Sequence, residues 1–83
     1  MSTIHLGLLE PGKTATILAI KTREGLNQRL QALGFRAGRE VKMIRRGWFS
    51  GPLHVRIGTT EVMVRRTEAE NIYLSYVDKG EST

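Results

Sequence analysis

The chain contains no cysteine. A disulfide framework and a thiolate metal centre are both excluded, and the composition suits a reducing compartment. Aspartate occurs once, as Asp78 near the end of the chain. A Ser-His-Asp set would have to recruit it from a polar tail, and no cysteine nucleophile exists, so no catalytic residue is assigned. Aromatic residues make up only 6%, which leaves few platforms for stacking nucleic-acid bases. No apolar run approaches the ~20 residues that span a bilayer. No basic-then-apolar opening resembles a signal peptide, so a cytoplasmic protein without membrane insertion is expected.

What is present is a basic domain of 83 residues with a net charge of +5. A single domain over 1–77 and a polar tail over 78–83 are expected, because a chain of this size supports one compact core. The charge is unevenly placed. Arg36, Arg39, Lys42, Arg45, Arg46, Arg56, Arg65 and Arg66 stand against only Glu40 and Glu61, so 36–66 carries +6 and the remainder −1. Such a surface favours an anionic partner.

The clearest local signal lies at 26–41. Leu26, Leu30 and Leu33 recur at i, i+4 and i+7 and share one helix face. Gly34 then sits where a helix ends in a left-handed residue, and Phe35 folds back onto Leu30 in a Schellman arrangement. The pattern predicts a helix over about 23–33, with Thr22 as a candidate cap. Thr14–Ile20 alternates as a strand after the Pro11-Gly12 turn, and Glu40–Arg46 forms another, with Val41 and Met43 pointing one way. Leu53, Val55 and Ile57 alternate with His54 and Arg56, and Gly58-Thr59 marks a hairpin into Val62 and Val64. Thr67-Glu68-Ala69-Glu70 has capping-box spacing for a helical turn near 67–70. Ile72, Leu74 and Tyr76 supply a last strand, and residues 1–7 read as a lead-in. Five short strands, one helix and a helical turn describe a mainly β fold, a small five-stranded SH3-like barrel.

In these motifs the chain resembles the FeoA family of small cytosolic partners of bacterial ferrous-iron transport. The residues that carry the resemblance are Leu6, Leu9-Glu10-Pro11-Gly12, Ala15-Thr16-Ile17, Leu30, Leu33-Gly34-Phe35, Gly38, Val41, Gly51-Pro52-Leu53, Val64-Arg65-Arg66, Glu68-Ala69 and Ile72. The resemblance implies an SH3-like barrel without enzymatic activity. It also implies a partner, the cytoplasmic GTP-binding part of a FeoB-type membrane ferrous-iron transporter.

Residues 7–14 satisfy the string G-x-x-x-x-G-K-[ST] of a phosphate-binding loop. Glu10 would repel phosphate, Pro11 has no N–H to offer, and the following residues read as a strand where that loop needs a helix. No cofactor is therefore expected. His5 and His54 are the only histidines. A transition-metal site usually takes three or four ligands, so these are weak metal candidates, confined to a site bridging two molecules. Trp48 and Phe49 stand in a glycine-flanked loop after Arg45-Arg46. One of the two rings is expected to cover the open barrel end. With Lys42, Arg46 and Arg56 they form the candidate partner-binding surface, since Trp and Arg are enriched at interface hot spots. The alternatives are a small-barrel RNA or single-stranded-DNA binder using Tyr73 and Tyr76 as well, and a transition-metal-responsive interaction domain.

Overall fold

The structure is a computed structural model that describes residues 2–21, 24–48 and 51–76. Its strands are β1 (Ser2–His5), β2 (Thr14–Ile20), β3 (Glu40–Arg46), β4 (Leu53–Ile57), β5 (Thr60–Val64) and β6 (Ile72–Tyr76). Helix α1 (Glu24–Ala32) joins β2 to β3, and the one-turn helix α2 (Arg66–Ala69) joins β5 to β6. All strands pair antiparallel in one sheet of order β1-β6-β2-β3-β4-β5. The mainly β architecture is the expected one, with a sixth strand. The lead-in supplies it, because Ile4 faces Leu74 and His5 faces Tyr73 across the β1–β6 ladder. A 3-10 turn over Leu6–Leu8 follows.

The alternation read from the sequence places the core. Val41 and Met43 of β3, Leu53 and Val55 of β4, Val64 of β5, and Ile72 and Leu74 of β6 are all inaccessible to solvent. Leu30 from α1 and Phe35 beyond it join this apolar interior, together with Leu6, Leu9 and Ile17. The helix ends as the Gly34 pattern requires. The Gly34 N–H donates to the Gln31 carbonyl at 2.9 Å and the Phe35 N–H to the Leu30 carbonyl at 2.9 Å. Gly34 has φ 105°, a conformation that excludes most side chains. Thr22 lies outside the described residues, as does the tail, and nothing of the Leu26 side chain is described.

The helical turn starts earlier than its capping-box string suggests. Its N-cap is Arg65 rather than Thr67, and the N3 residue is Glu68. The Arg65 N–H donates to Glu68 Oε1 at 3.1 Å, while Arg29 Nη1 donates to Oε2. Arginine has no side-chain acceptor, so it cannot return the reciprocal bond that Ser or Thr would make. Glu68 is thereby a buried carboxylate, 5% exposed, with both oxygens engaged.

Candidate docking surface

One face of the sheet carries a row of residues across four strands. Thr14 faces Lys42, Lys42 faces Arg56, and Arg56 faces Glu61. Lys42 and Arg56 are exposed like charges set directly opposite one another, which is repulsive in a ladder. Among the described residues only Arg56 is relieved, by Glu61 Oε2 at 2.5 Å. Glu61 Oε1 lies 2.7 Å from His54 Nε2. The Glu61 carboxyl is held below its ordinary 4.5, chiefly by the Arg56 hydrogen bond and then by His54. Beside this row an open depression of ≈ 400 Å³ is lined by Thr14, Gly38, Arg39, Glu40, Lys42, Arg56 and Gly58.

Arg46 does not join that face. The β3–β4 register shifts between Met43 and Arg45, so Arg46 pairs with buried Leu53 and its Nη1 donates to the Leu9 carbonyl at 3.1 Å. The bulge inserts a residue and turns the side chains beyond it to the other face. Arg46 thus braces the end of the core instead of lining the basic surface.

Trp48 projects from the β3–β4 connection and is 86% exposed. It does not cover the barrel end; Phe49 lies outside the described residues. The loop is closed by the Gly47 N–H on the Pro52 carbonyl at 3.0 Å and the Gly51 N–H on the Trp48 carbonyl at 2.8 Å. A Cβ on Gly47 would lie 2.6 Å from the Pro52 oxygen, so only glycine allows this approach. Arg66, a residue to which the sequence reading gave no role, ties the loop to α2. Its Nε donates to the Gly51 carbonyl at 2.9 Å and its Nη2 to the Gly47 carbonyl at 3.1 Å. The reason is chemical: the Gly47 and Gly51 carbonyls, one from each side of the loop, are met by one forked donor, and arginine has the rigid fork.

The other candidate residues are dispersed. His5 caps the 3-10 turn, its Nδ1 accepting the Gly7 N–H at 3.1 Å. Among the described residues no three of His, Asp and Glu converge on one point. In the phosphate-loop string, Gly12 donates to the Met43 carbonyl at 2.7 Å and Thr14 opens a strand. Tyr73 is half-buried, with the Lys21 ammonium 5.9 Å from its ring centroid; the Tyr76 side chain lies outside the description. No helix among the described residues is long and apolar enough to cross a membrane.

Comparison with known proteins places this arrangement. The family model of the FeoA domain matches residues 4–76. The crystal structure of FeoA from Stenotrophomonas maltophilia complexed with zinc, an SH3 domain protein, superposes with a TM-score of 0.76 at 28% identity, over 87% of this chain and 89% of that one. Iron(II) transport protein A from Clostridium thermocellum gives 0.85 at 27% identity, over 89% of this chain and 46% of that one. A manganese-dependent transcriptional repressor gives 0.82 at 18% identity, over 90% of this chain and 42% of its own length, a likeness of fold alone. No curated protein sequence matches significantly. The sheet is accordingly of the SH3-like type.

Proposed function

Because the chain belongs to the FeoA family, we propose that it is a non-enzymatic, cytoplasmic accessory protein of ferrous-iron transport. In this reading it docks on the cytoplasmic GTP-binding part of a membrane Fe(II) transporter and needs no resident cofactor or metal. The relative from Stenotrophomonas maltophilia is itself put forward as a ferrous-iron transport activating factor. The observation that carries the docking reading is the braced, exposed Trp48 loop. A loop backbone held in place before contact loses little further freedom on binding. The basic row of Lys42 and Arg56 supplies steering toward an acidic surface. Docking shifts the transporter between states only to the extent that this surface binds one state more tightly.

The test is titration calorimetry of the full chain against the transporter's soluble GTP-binding domain. Trp48→Ala is expected to weaken binding by roughly 30-fold, the size of a hot-spot loss of ~2 kcal/mol. Lys42→Glu should weaken it chiefly through the association rate and at low salt. Absence of binding by the unaltered chain, or equal binding by both variants, refutes the reading.

A further inference from the structure

Among the described residues, strand β5 ends the sheet and pairs with β4 alone. The hairpin between them has a two-residue loop, Gly58-Thr59, with Ile57 facing Thr60 and Gly58 at φ 63°. In such hairpins the residues flanking the loop exchange both backbone bonds, and bonded pairs alternate with non-bonded ones from there. Ile57–Thr60, Val55–Val62 and Leu53–Val64 are therefore the bonded pairs. Glu61 and Met63 face Arg56 and His54 in the non-bonded positions. Their N–H and C=O groups consequently point away from β4, toward the open edge.

A groove of ≈ 390 Å³ runs beside this edge, lined by Arg29, Pro52, Met63, Arg65 and Arg66. Met63 is 53% exposed, so the groove has an apolar patch within a cationic rim. No carboxylate lines it. Glu68 is buried and occupied by Arg29 and the Arg65 N–H. Arg66 is committed to the Trp48 loop. Among the described residues no carboxylate lies within 4.0 Å of Arg65. Met63 and Arg65 are two positions apart in extended chain, the spacing that places side chains on one face.

We propose that β5 accepts an extended segment of a partner protein as a seventh strand. The outward groups of Glu61 and Met63 bond its backbone, an apolar side chain lies against Met63 and Pro52, and a carboxylate of the same segment meets Arg65. Backbone bonds supply the attachment and the groove supplies the choice of sequence. The charge of the rim selects an acidic, apolar segment over a basic one. This goes beyond the transporter reading and does not require that the transporter be the partner.

The test is nuclear magnetic resonance of the full ¹⁵N-labelled chain with the blocked hexapeptide Thr-Val-Thr-Glu-Thr-Thr, whose valine and glutamate, two positions apart, share one face of an extended strand. Expected are shifts confined to 60–65, and slowed hydrogen exchange at the Glu61 and Met63 amides. Arg65→Glu should weaken binding by about tenfold, the scale of one charge-assisted hydrogen bond. Met63→Pro removes one outward N–H without touching the β4 bonds and should also weaken it; Arg65→Glu keeps the test decisive if that variant unfolds. A lysine-for-glutamate peptide should not bind. The proposal is overturned by no shifts at millimolar peptide, by shifts at Lys42 and Arg56 instead, or by full binding to Arg65→Glu. It is also overturned if the Glu61 and Met63 amides shift with protein concentration alone, because a second copy then occupies the edge.

Discussion

Replacing Glu68 should unmake the junction between α1, β5 and β6 far more than its position in a four-residue helix suggests. In Glu68→Ala the partly buried Arg65 N–H loses its acceptor, which costs about 1–3 kcal/mol. The lost methylene adds about 0.8 kcal/mol of burial. The ion pair with Arg29 contributes less, because the Arg29 side chain is 48% exposed and water replaces its partner, within about 1 kcal/mol. Together these give a loss of about 3 kcal/mol, a fall of roughly 15 °C in Tm for a domain of this size. Glu68→Gln keeps the oxygen that Arg65 uses and keeps the shape, so it should lose only about 1 kcal/mol. Urea denaturation of the two variants and of Arg29→Ala separates the contributions. If Gln is as damaging as Ala, the acceptor argument is wrong and charge carries the effect. If Ala costs less than about 0.5 kcal/mol, the carboxylate is a passive surface group.

Gly34→Ala should destabilise by about 1–2 kcal/mol through backbone strain alone, since its Cβ would meet Ile57 Cγ2 at an ordinary 3.6 Å; chemical denaturation with an unchanged m-value checks this. The Glu61 carboxyl should titrate below 4.5 by ¹³C resonance, with Arg56→Gln moving its midpoint up more than His54→Gln does. Because that folded-state value is depressed, the stabilisation from Glu61 is present above its unfolded pKa and is lost as pH falls through the folded one. Arg46→Ala should cost about 1–2 kcal/mol, by leaving the Leu9 carbonyl unpaired, while binding to the transporter domain stays unchanged in calorimetry; weakened binding at full stability would return Arg46 to the docking surface.

Most of the fold was legible because its signals are local. The helix stop at Gly34-Phe35 rests on one residue type that tolerates positive φ and one apolar neighbour, and both hydrogen bonds of the motif form. Strand β4 buries Leu53, Val55 and Ile57 in strict alternation, and in β5 Val64 is buried and Val62 half-buried, on the face the period predicts. Two readings failed where a periodic rule met an interruption. Strict alternation from Val41 and Met43 would set Arg46 beside Lys42, but the adjacent apolar pair Met43-Ile44 breaks the alternation at the register shift. The capping box was placed on Thr67 because threonine is the usual cap, whereas the buried requirement belongs to Glu68. The pairing of Ser2–His5 with β6 was illegible for another reason. Alternation marks a segment as extended but does not name a partner about 70 residues away. The uneven charge is legible in composition and the exposed position of Trp48 in its glycine-flanked loop, but the brace from Arg66 depends on a tertiary approach that only the folded chain displays.

The place of β6 between β1 and β2 has a kinetic consequence. The first two strands to leave the ribosome do not pair with each other; until the strand made last arrives, β1 has no partner and β2 is paired on its β3 side alone. The β3-β4-β5 meander can zip up through short hairpins, whereas half of the sheet needs contacts spanning nearly the whole chain. Such high contact order slows folding toward milliseconds or longer. Until Ile72–Tyr76 emerges, β1 and β2 are nascent edges without their neighbour. The interval in which this protein is open to mispairing is therefore set by the synthesis of its final strand rather than by its hydrophobic collapse.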